Sequence, residues 1–330
     1  SVVRDDGDPD LLRRAIGKAQ CNDAYWHGVF GGLYMKHLRK GVRRWMATAE
    51  RMLRVGEGLM WEDALERDGS PAHWVHSARL SARVSPVSGG TLTELVWLEP
   101  EADVTDYLTR RLETYHEEAI ARGAATRPGS NGEPAELVVT DASASIHEIE
   151  EGATLESLPP VDPEVRVLVR ERVLGSDVTL DEYQSGTFSS LGHAQRADLM
   201  PPSMGAADAA SGTGALTWQF EATGAGGTLE MRKSITIADG RVQIEWEWDG
   251  DGFPRDACFC PEFSFGCDVE LALDPEPATS WSYPIVTISK CPDGFEAIEQ
   301  GTSVTPRWPV RAGRARVIIR PPPQEPTSRE

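Results

Sequence analysis

The sequence predicts a mainly β protein, a large antiparallel β-sandwich preceded by an amino-terminal helical segment that reads as a partial helical bundle. Three observations carry this. From Pro9 to about Glu62 apolar residues recur every three to four positions, which is the period of an amphipathic helix. After about residue 85 the period falls towards two in a series of short runs, as half-buried strands require. Turn signals, notably Ala238-Asp239-Gly240 and Asp249-Gly250-Asp251-Gly252, separate those runs and many short strands so spaced make a sandwich. The expected division is a helical subdomain over 1–80 and a β-sandwich domain over 81–330.

In chain order, Asp8 or Asp10 can cap a first helix whose Leu11, Leu12, Ala15, Ile16 and Ala19 build one apolar stripe. Gly28, Gly31 and Gly32 break it. Leu33 to Leu53 then resumes the helical period, with Leu38, Val42, Trp45, Met46, Ala49 and Leu53 opposite Arg39, Arg43, Arg44 and Arg51. Ser70-Pro71 closes this region. Strands are expected at Leu92–Leu98, Val165–Val173, Leu216–Ala222, Gly227–Ile237, Arg241–Trp248, Glu262–Leu273, Ser282–Lys290 and Arg314–Ile319. Thr105 to Ile120 reads as a short helix or as a connection lying across a sheet. Gly123–Glu136 and Met200–Gly214 read as exposed loops, and Pro321–Glu330 as a frayed tail.

Composition narrows the partner. The 33 basic and 52 acidic residues give a net charge of -19, which repels nucleic acid and anionic membrane surfaces. Ten of the 24 aromatic residues are tryptophan, pointing to a neutral, flat-faced ligand such as a sugar. No run approaches the roughly 18 apolar residues of a membrane helix, and no leader peptide is expected. Five cysteines, at 21, 258, 260, 267 and 291, cannot all pair within one molecule; they read as reduced thiols of a cytoplasmic protein. The Cys258/Cys260/Cys267 spacing lacks a fourth zinc ligand, His73 and His76 lack a third, and Asp249–Gly252 reads as a hairpin turn and not a calcium loop. Neither a metal nor a cofactor is expected.

The chemistry concentrates in Gln20–Tyr34, where Asn22, Asp23, Tyr25, Trp26 and His27 offer amide, carboxylate, aromatic faces and imidazole ahead of three glycines. Glycine there lets backbone approach closely. The packing alternative is that Asn22 and Asp23 cap a helix while Trp26 and His27 fill the joint. Among the other tryptophans, Trp246 and Trp248 share one strand face and read as core, whereas Trp218, Trp281 and Trp308 are candidates to line a sugar groove.

The run QCNDAYWHGVFGGLYMKHLRKGVRRWMATAE, Gln20 to Glu50, resembles the signature segment that follows the catalytic barrel in glycoside hydrolase family 57, in the branch of 4-α-glucanotransferases and related α-amylases. Tyr283–Thr287 and Gln300–Pro309 resemble the end of that branch's large β-sandwich, which is similar to the mutarotase-like sugar-binding superfamily. Met35-Lys36 stands where such enzymes usually carry a proline, a departure that bears on helix entry.

The resemblance implies a retaining reaction on α-1,4-glucans, carried out by a Glu nucleophile and an Asp acid/base on an incomplete barrel, with carboxylates about 5 to 5.5 Å apart. Only nineteen residues precede Gln20, against roughly 250 for a full barrel, so the catalytic pair is expected to be absent and no residue here is assigned as catalytic. Carried across, Asn22, Asp23, Trp26 and His27 would face an α-glucan or maltooligosaccharide, Trp26 as stacking platform, Asp23 and His27 as hydroxyl partners. The chain then reads as a non-catalytic carboxy-terminal region working with a barrel in cis. The alternatives are an accessory subunit on a separately encoded barrel, or a self-sufficient glycosidase using Asp23, Glu62 or Asp63 with His27. A homo-oligomer is a further possible assembly.

Overall fold

The computed structural model describes residues 9–27, 31–126, 154–197, 199, 203–205, 215–225, 231–238, 240–291 and 294–322. Two helices open it, α1 (Pro9–Ala19) and α2 (Lys36–Leu53). The first buries Leu12, Ala15 and Ala19 of its stripe and leaves Leu11 and Ile16 exposed. The second departs from the pattern read in the sequence: Arg39, assigned to the polar face, is buried, while Met46 and Leu53 are exposed. Arg39 tolerates burial because its Nε donates to Asp106 Oδ1 at 2.8 Å and its Nη1 to the Leu33 carbonyl at 2.5 Å.

Strand structure begins earlier than the apolar period indicated. The helical period ends at Leu53 and not at Glu62, and β1 (Met60–Leu65) pairs with β2 (Pro71–His76). β1 is the edge of its sheet and largely exposed on both faces, so nothing imposes alternation on it. Pro71 does not close the region; it starts a strand, a position that needs no ladder donor. With β3 (Leu80–Ser85), β4 (Thr91–Trp97) and β5 (Ala102–Asp103) these form a five-stranded antiparallel sheet in sequential order. Thr105–Ile120 turns out to be both of the alternatives read for it: an extended connection, then helix α3 (Thr114–Thr126).

The second sheet has eleven strands: β6 (Val169–Leu174), β7 (Gly192–Ala197), β8 (Ser203–Gly205), β9 (Ala215–Ala225), β10 (Met231–Ala238), β11 (Arg241–Trp248), β12 (Cys258–Phe265), β13 (Glu270–Asp274), β14 (Thr279–Cys291), β15 (Gly294–Pro309) and β16 (Arg314–Arg320). A short helix, α4 (Leu180–Ser185), follows β6 and starts at a capping box in which Thr179 and Glu182 satisfy each other's backbone N–H. The expected single strand Glu262–Leu273 is two, β12 and β13, which lie far apart in the sheet. β8 sits inside a stretch read as loop. The expected loop residues 127–136, the segment 227–230 and the tail from 323 lie outside the described residues, as does Gly28.

The two sheets face each other across one core. Val75, Leu80, Val84, Leu92, Leu95 and Trp97 of the small sheet pack with Trp218, Ile235, Ile244, Trp246, Phe259, Phe263 and Trp308 of the large one. A buried indole N–H usually finds an acceptor: Trp218 donates to His73 Nδ1 at 2.7 Å, Trp246 to Glu171 Oε1 at 2.8 Å, Trp248 to the Val310 carbonyl at 2.7 Å and Trp308 to the Pro275 carbonyl at 2.7 Å, whereas Trp97 Nε1 has no partner among the described residues. Trp218 and Trp308 therefore belong to the core, correcting their assignment to a sugar groove. Also between the sheets, Lys233 Nζ lies 2.6 Å from Glu171 Oε1 with both side chains fully buried. Removing one member strands a buried charge, so Lys233→Met is expected to lower unfolding stability by about 3–5 kcal/mol and Lys233→Met/Glu171→Leu to recover most of it, as read by urea titration.

Candidate functional site

Between α1 and α2 the described residues form two tight 3₁₀ turns, Asn22–Ala24 and Gly32–Tyr34. The Tyr25 hydroxyl reaches back to the Ala19 carbonyl at 2.7 Å. The Leu33 N–H donates to the Trp26 carbonyl at 2.9 Å, which draws the two turns together. That closure explains the glycine: Gly32 has φ +49°, and a Cβ on it would lie 2.1 Å from the Trp26 carbonyl oxygen.

The turn presents its polar groups outward. Asn22 and Asp23 are exposed, and the first turn has no side-chain cap, so the capping alternative has no bond to support it among the described residues. Trp26 is 53% exposed. It is the one exposed tryptophan of the ten: Trp97, Trp218, Trp246, Trp248 and Trp308 are buried and Trp45, Trp61, Trp74 and Trp281 half-buried. His27 turns inward, its ring 5.4 Å from that of Tyr34 and 5.3 Å from that of Tyr115. Its Nε2 is buried with no hydrogen-bond partner among the described residues.

Behind the turn lies a layer that the sequence did not single out. The Tyr34 hydroxyl donates to Glu113 Oε1; burial, then Glu113, raises this phenol far above its ordinary pKa. Burial, then Glu113, also pushes Tyr115 up to about 12. The Glu113 N–H donates to His116 Nδ1 at 3.0 Å, which leaves the proton on Nε2 to be donated to the Ile288 carbonyl of β14 at 2.7 Å. Gln300 of β15, fully buried, donates to the Tyr34 carbonyl at 3.0 Å and to Thr287 Oγ1 at 2.7 Å. Tyr34 stood inside the motif, but Glu113, His116 and Gln300 join it only through tertiary contact, for which local pattern carries no signal.

The other candidates part company with this site. Glu62 and Asp63 face His76 and His73 on the edge of the small sheet, at 3.1 and 3.5 Å, and no contact among the described residues brings them to Asp23 or His27. Trp281 carries the Arg307 guanidinium 4.0 Å from its ring centroid, with Tyr183 5.4 Å away. That covering removes the free face a sugar would need.

A small pocket of about 20 Å³ lies on the outer face of the large sheet, lined by Arg166, Arg170, Arg172, Tyr183, Glu262 and Tyr283. Most of its polar groups pair with one another, while Arg172 Nε has no hydrogen-bond partner among the described residues. Glu262 receives Arg166 at 2.9 Å, Tyr183 at 2.8 Å, Tyr283 at 3.0 Å and Ser303 at 2.9 Å. Burial alone would raise its pKa, but Arg166, Arg172 and the hydroxyl donors outweigh burial and hold it at about 2.

Comparison with known proteins identifies these surroundings. A family model described as "Alpha-amylase/4-alpha-glucanotransferase, C-terminal" matches residues 65–265 and 261–318, and one described as "Alpha-amylase/4-alpha-glucanotransferase, middle domain" matches residues 4–53. The chain belongs to the α-amylase/4-α-glucanotransferase group of glycoside hydrolase family 57. Within that group, a 4-α-glucanotransferase of Thermococcus kodakarensis is 30% identical over 93% of this chain and 47% of its own length. An α-amylase of Pyrococcus furiosus is 24% identical over 88% of this chain and 44% of its own. The crystal structure of the 4-α-glucanotransferase of Thermococcus litoralis shares the fold, with TM-score 0.66 and 23% identity over 97% of this chain and 47% of that one. The chain thus spans about half the length of the relatives it matches. The middle-domain match ends at Leu53, the last residue of α2.

The Glu262 cluster makes a pH prediction. A carboxylate depressed from about 4.5 to about 2 contributes stability that is complete above its unfolded pKa and is lost as pH falls from about 4.5 through 2. The amount is about 3 kcal/mol. Glu262→Gln is expected to flatten that part of the stability profile, measured by denaturant titration between pH 7 and 2.5.

Proposed function

We propose that this chain is the non-catalytic carboxy-terminal region of an α-1,4-glucan-acting enzyme resembling the 4-α-glucanotransferases, cytoplasmic and paired with a catalytic barrel that supplies nucleophile and acid/base. Its helical part lines one side of the glucan cleft, and its sandwich supports the barrel. We place the boundary between these parts in residues 54–59, since a cut at residue 80 would separate β2 from β3, to which it is hydrogen-bonded.

The observation that carries this reading is the exposure of Trp26. An indole costs free energy to leave in water, and this chain buries or half-buries every other tryptophan it has. A glucose ring presents an apolar C–H face that covers such an indole. Asp23 and Asn22, exposed on the preceding turn, are placed to bond sugar hydroxyls.

Catalysis by this chain alone is not part of the proposal. Hydrolysis or transfer of a glycosidic bond by a retaining route needs two carboxyl groups facing each other across the bond. Asp23 is the one carboxylate of the turn, and Glu113 is engaged by Tyr34.

Isothermal titration of the chain with maltoheptaose tests the platform directly. Binding is expected in the unaltered chain, with at least about a tenfold loss in Trp26→Ala, the order of one lost aromatic contact. The melting temperature should stay put, since an exposed ring contributes little to folding. Undiminished affinity in Trp26→Ala would reject the platform. Redistribution of chain lengths from maltoheptaose by the chain alone would reject the non-catalytic assignment.

A further inference from the structure

Among the described residues of the turn that carries Trp26 and His27, Ala24, Gly31, Gly32 and Tyr34 are buried, and the cluster between α1 and α2 comprises Leu12, Ala15 and Ala49 with Trp45 and Met52 against it. Contacts from beyond the turn hold its rings.

The contacts that do so run through a single line of directional bonds into the large sheet. β14, a 13-residue strand paired along its length with the 16-residue β15, offers the Ile288 carbonyl to His116 Nε2. His116 Nδ1 receives the Glu113 N–H. Glu113 Oε1 receives the Tyr34 hydroxyl, and the Tyr34 ring meets His27 edge-on, at an interplanar angle of 68°. Tyr34 is therefore held at both ends, by Glu113 at its hydroxyl and by Gln300 at its carbonyl. Tyr115, next in sequence to His116, closes the other side of the imidazole.

We propose that Glu113 and His116, which lie outside the motif-bearing turn, are positioning residues for glucan binding: through Tyr34 they hold the His27 imidazole, and Tyr34 follows Leu33, whose N–H holds the Trp26 carbonyl, so that the turn presents Trp26 to the sugar. This rests on the glucan reading above and adds to it the means by which the sandwich acts at the cleft. Three of the four links are hydrogen bonds, which fix direction as well as distance.

The test uses the whole chain with histidine and tryptophan selectively labelled. Tyr34→Phe removes one hydroxyl and keeps the ring; Glu113→Ala removes the acceptor; Glu113→Gln keeps an acceptor oxygen and discards the charge. Tyr34→Phe and Glu113→Ala are expected to shift the His27 ring and Trp26 indole resonances and to weaken maltoheptaose binding about tenfold, the order of one lost hydrogen bond. Glu113→Gln is expected to restore both readouts to near those of the unaltered chain. The melting temperature controls for general loosening.

Unmoved His27 and Trp26 resonances in Tyr34→Phe and Glu113→Ala would overturn the proposal, as would a Glu113→Gln variant as impaired as Glu113→Ala. Failure of the unaltered chain to bind maltoheptaose would instead reject the glucan reading. The resonance comparison, which needs no sugar, extended to His116→Ala, would still decide whether Glu113 and His116 position the turn.

Discussion

One buried ion pair joins the helical part of this protein to its sheets, and the position of the candidate site depends on it. Arg39 projects from α2 and meets Asp106 in the connection beyond β5, both side chains under 10% exposed. The same guanidinium holds the Leu33 carbonyl, so Arg39 ties down both the helix and the turn that precedes it, beside the bonds of Gln300 and Glu113 to Tyr34. The connection itself is pinned, since the Gly266 N–H donates to the Val104 carbonyl at 2.7 Å and a Cβ at Gly266 would strike the Asp106 backbone at 2.5 Å. Removing one member of such a pair strands a buried charge at a cost of roughly 3–5 kcal/mol.

Seen from that junction, the sandwich has a role beyond bulk. Its core holds four fully buried tryptophans and a buried Lys233–Glu171 pair, and at one edge of the large sheet β14 and β15 run paired along their length. Rigid strands are better supports for a binding surface than loops, because small displacements there cost affinity. Gln300, His116 and Glu113 connect those strands to the turn, while the Glu262 cluster on the same sheet's outer face is closed by its own ion pairs. The sheet thus carries two polar assemblies of different kinds, one paired largely within itself and one that ends in an exposed indole.

The sequence made the architecture largely readable because period and turn chemistry are local properties. α1, α2, β10, β11, β14 and β16 lie close to where their apolar patterns put them. β1 was unreadable because an edge strand exposed on both faces carries no alternation, and β13 because only the turn before it divides it from β12. Arg39 was misplaced for a related reason: helical spacing describes which side a residue occupies, and burial of a charge is decided by a partner 67 positions away. At the site, Asn22, Asp23, Trp26 and His27 were visible as a dense cluster of unlike chemistry followed by glycines. Glu113 and His116 were not, since His116 meets its carbonyl partner 172 positions along the chain.

The central claim is that the exposed tryptophan of the turn, and no aromatic of the sandwich, receives the glucan. The direct measurement is a maltoheptaose titration of the tryptophan-labelled chain, following all ten indole N–H resonances. The account predicts that the Trp26 resonance moves saturably while that of Trp281, covered by Arg307, stays in place. A saturable shift at Trp281 with Trp26 unmoved would contradict it.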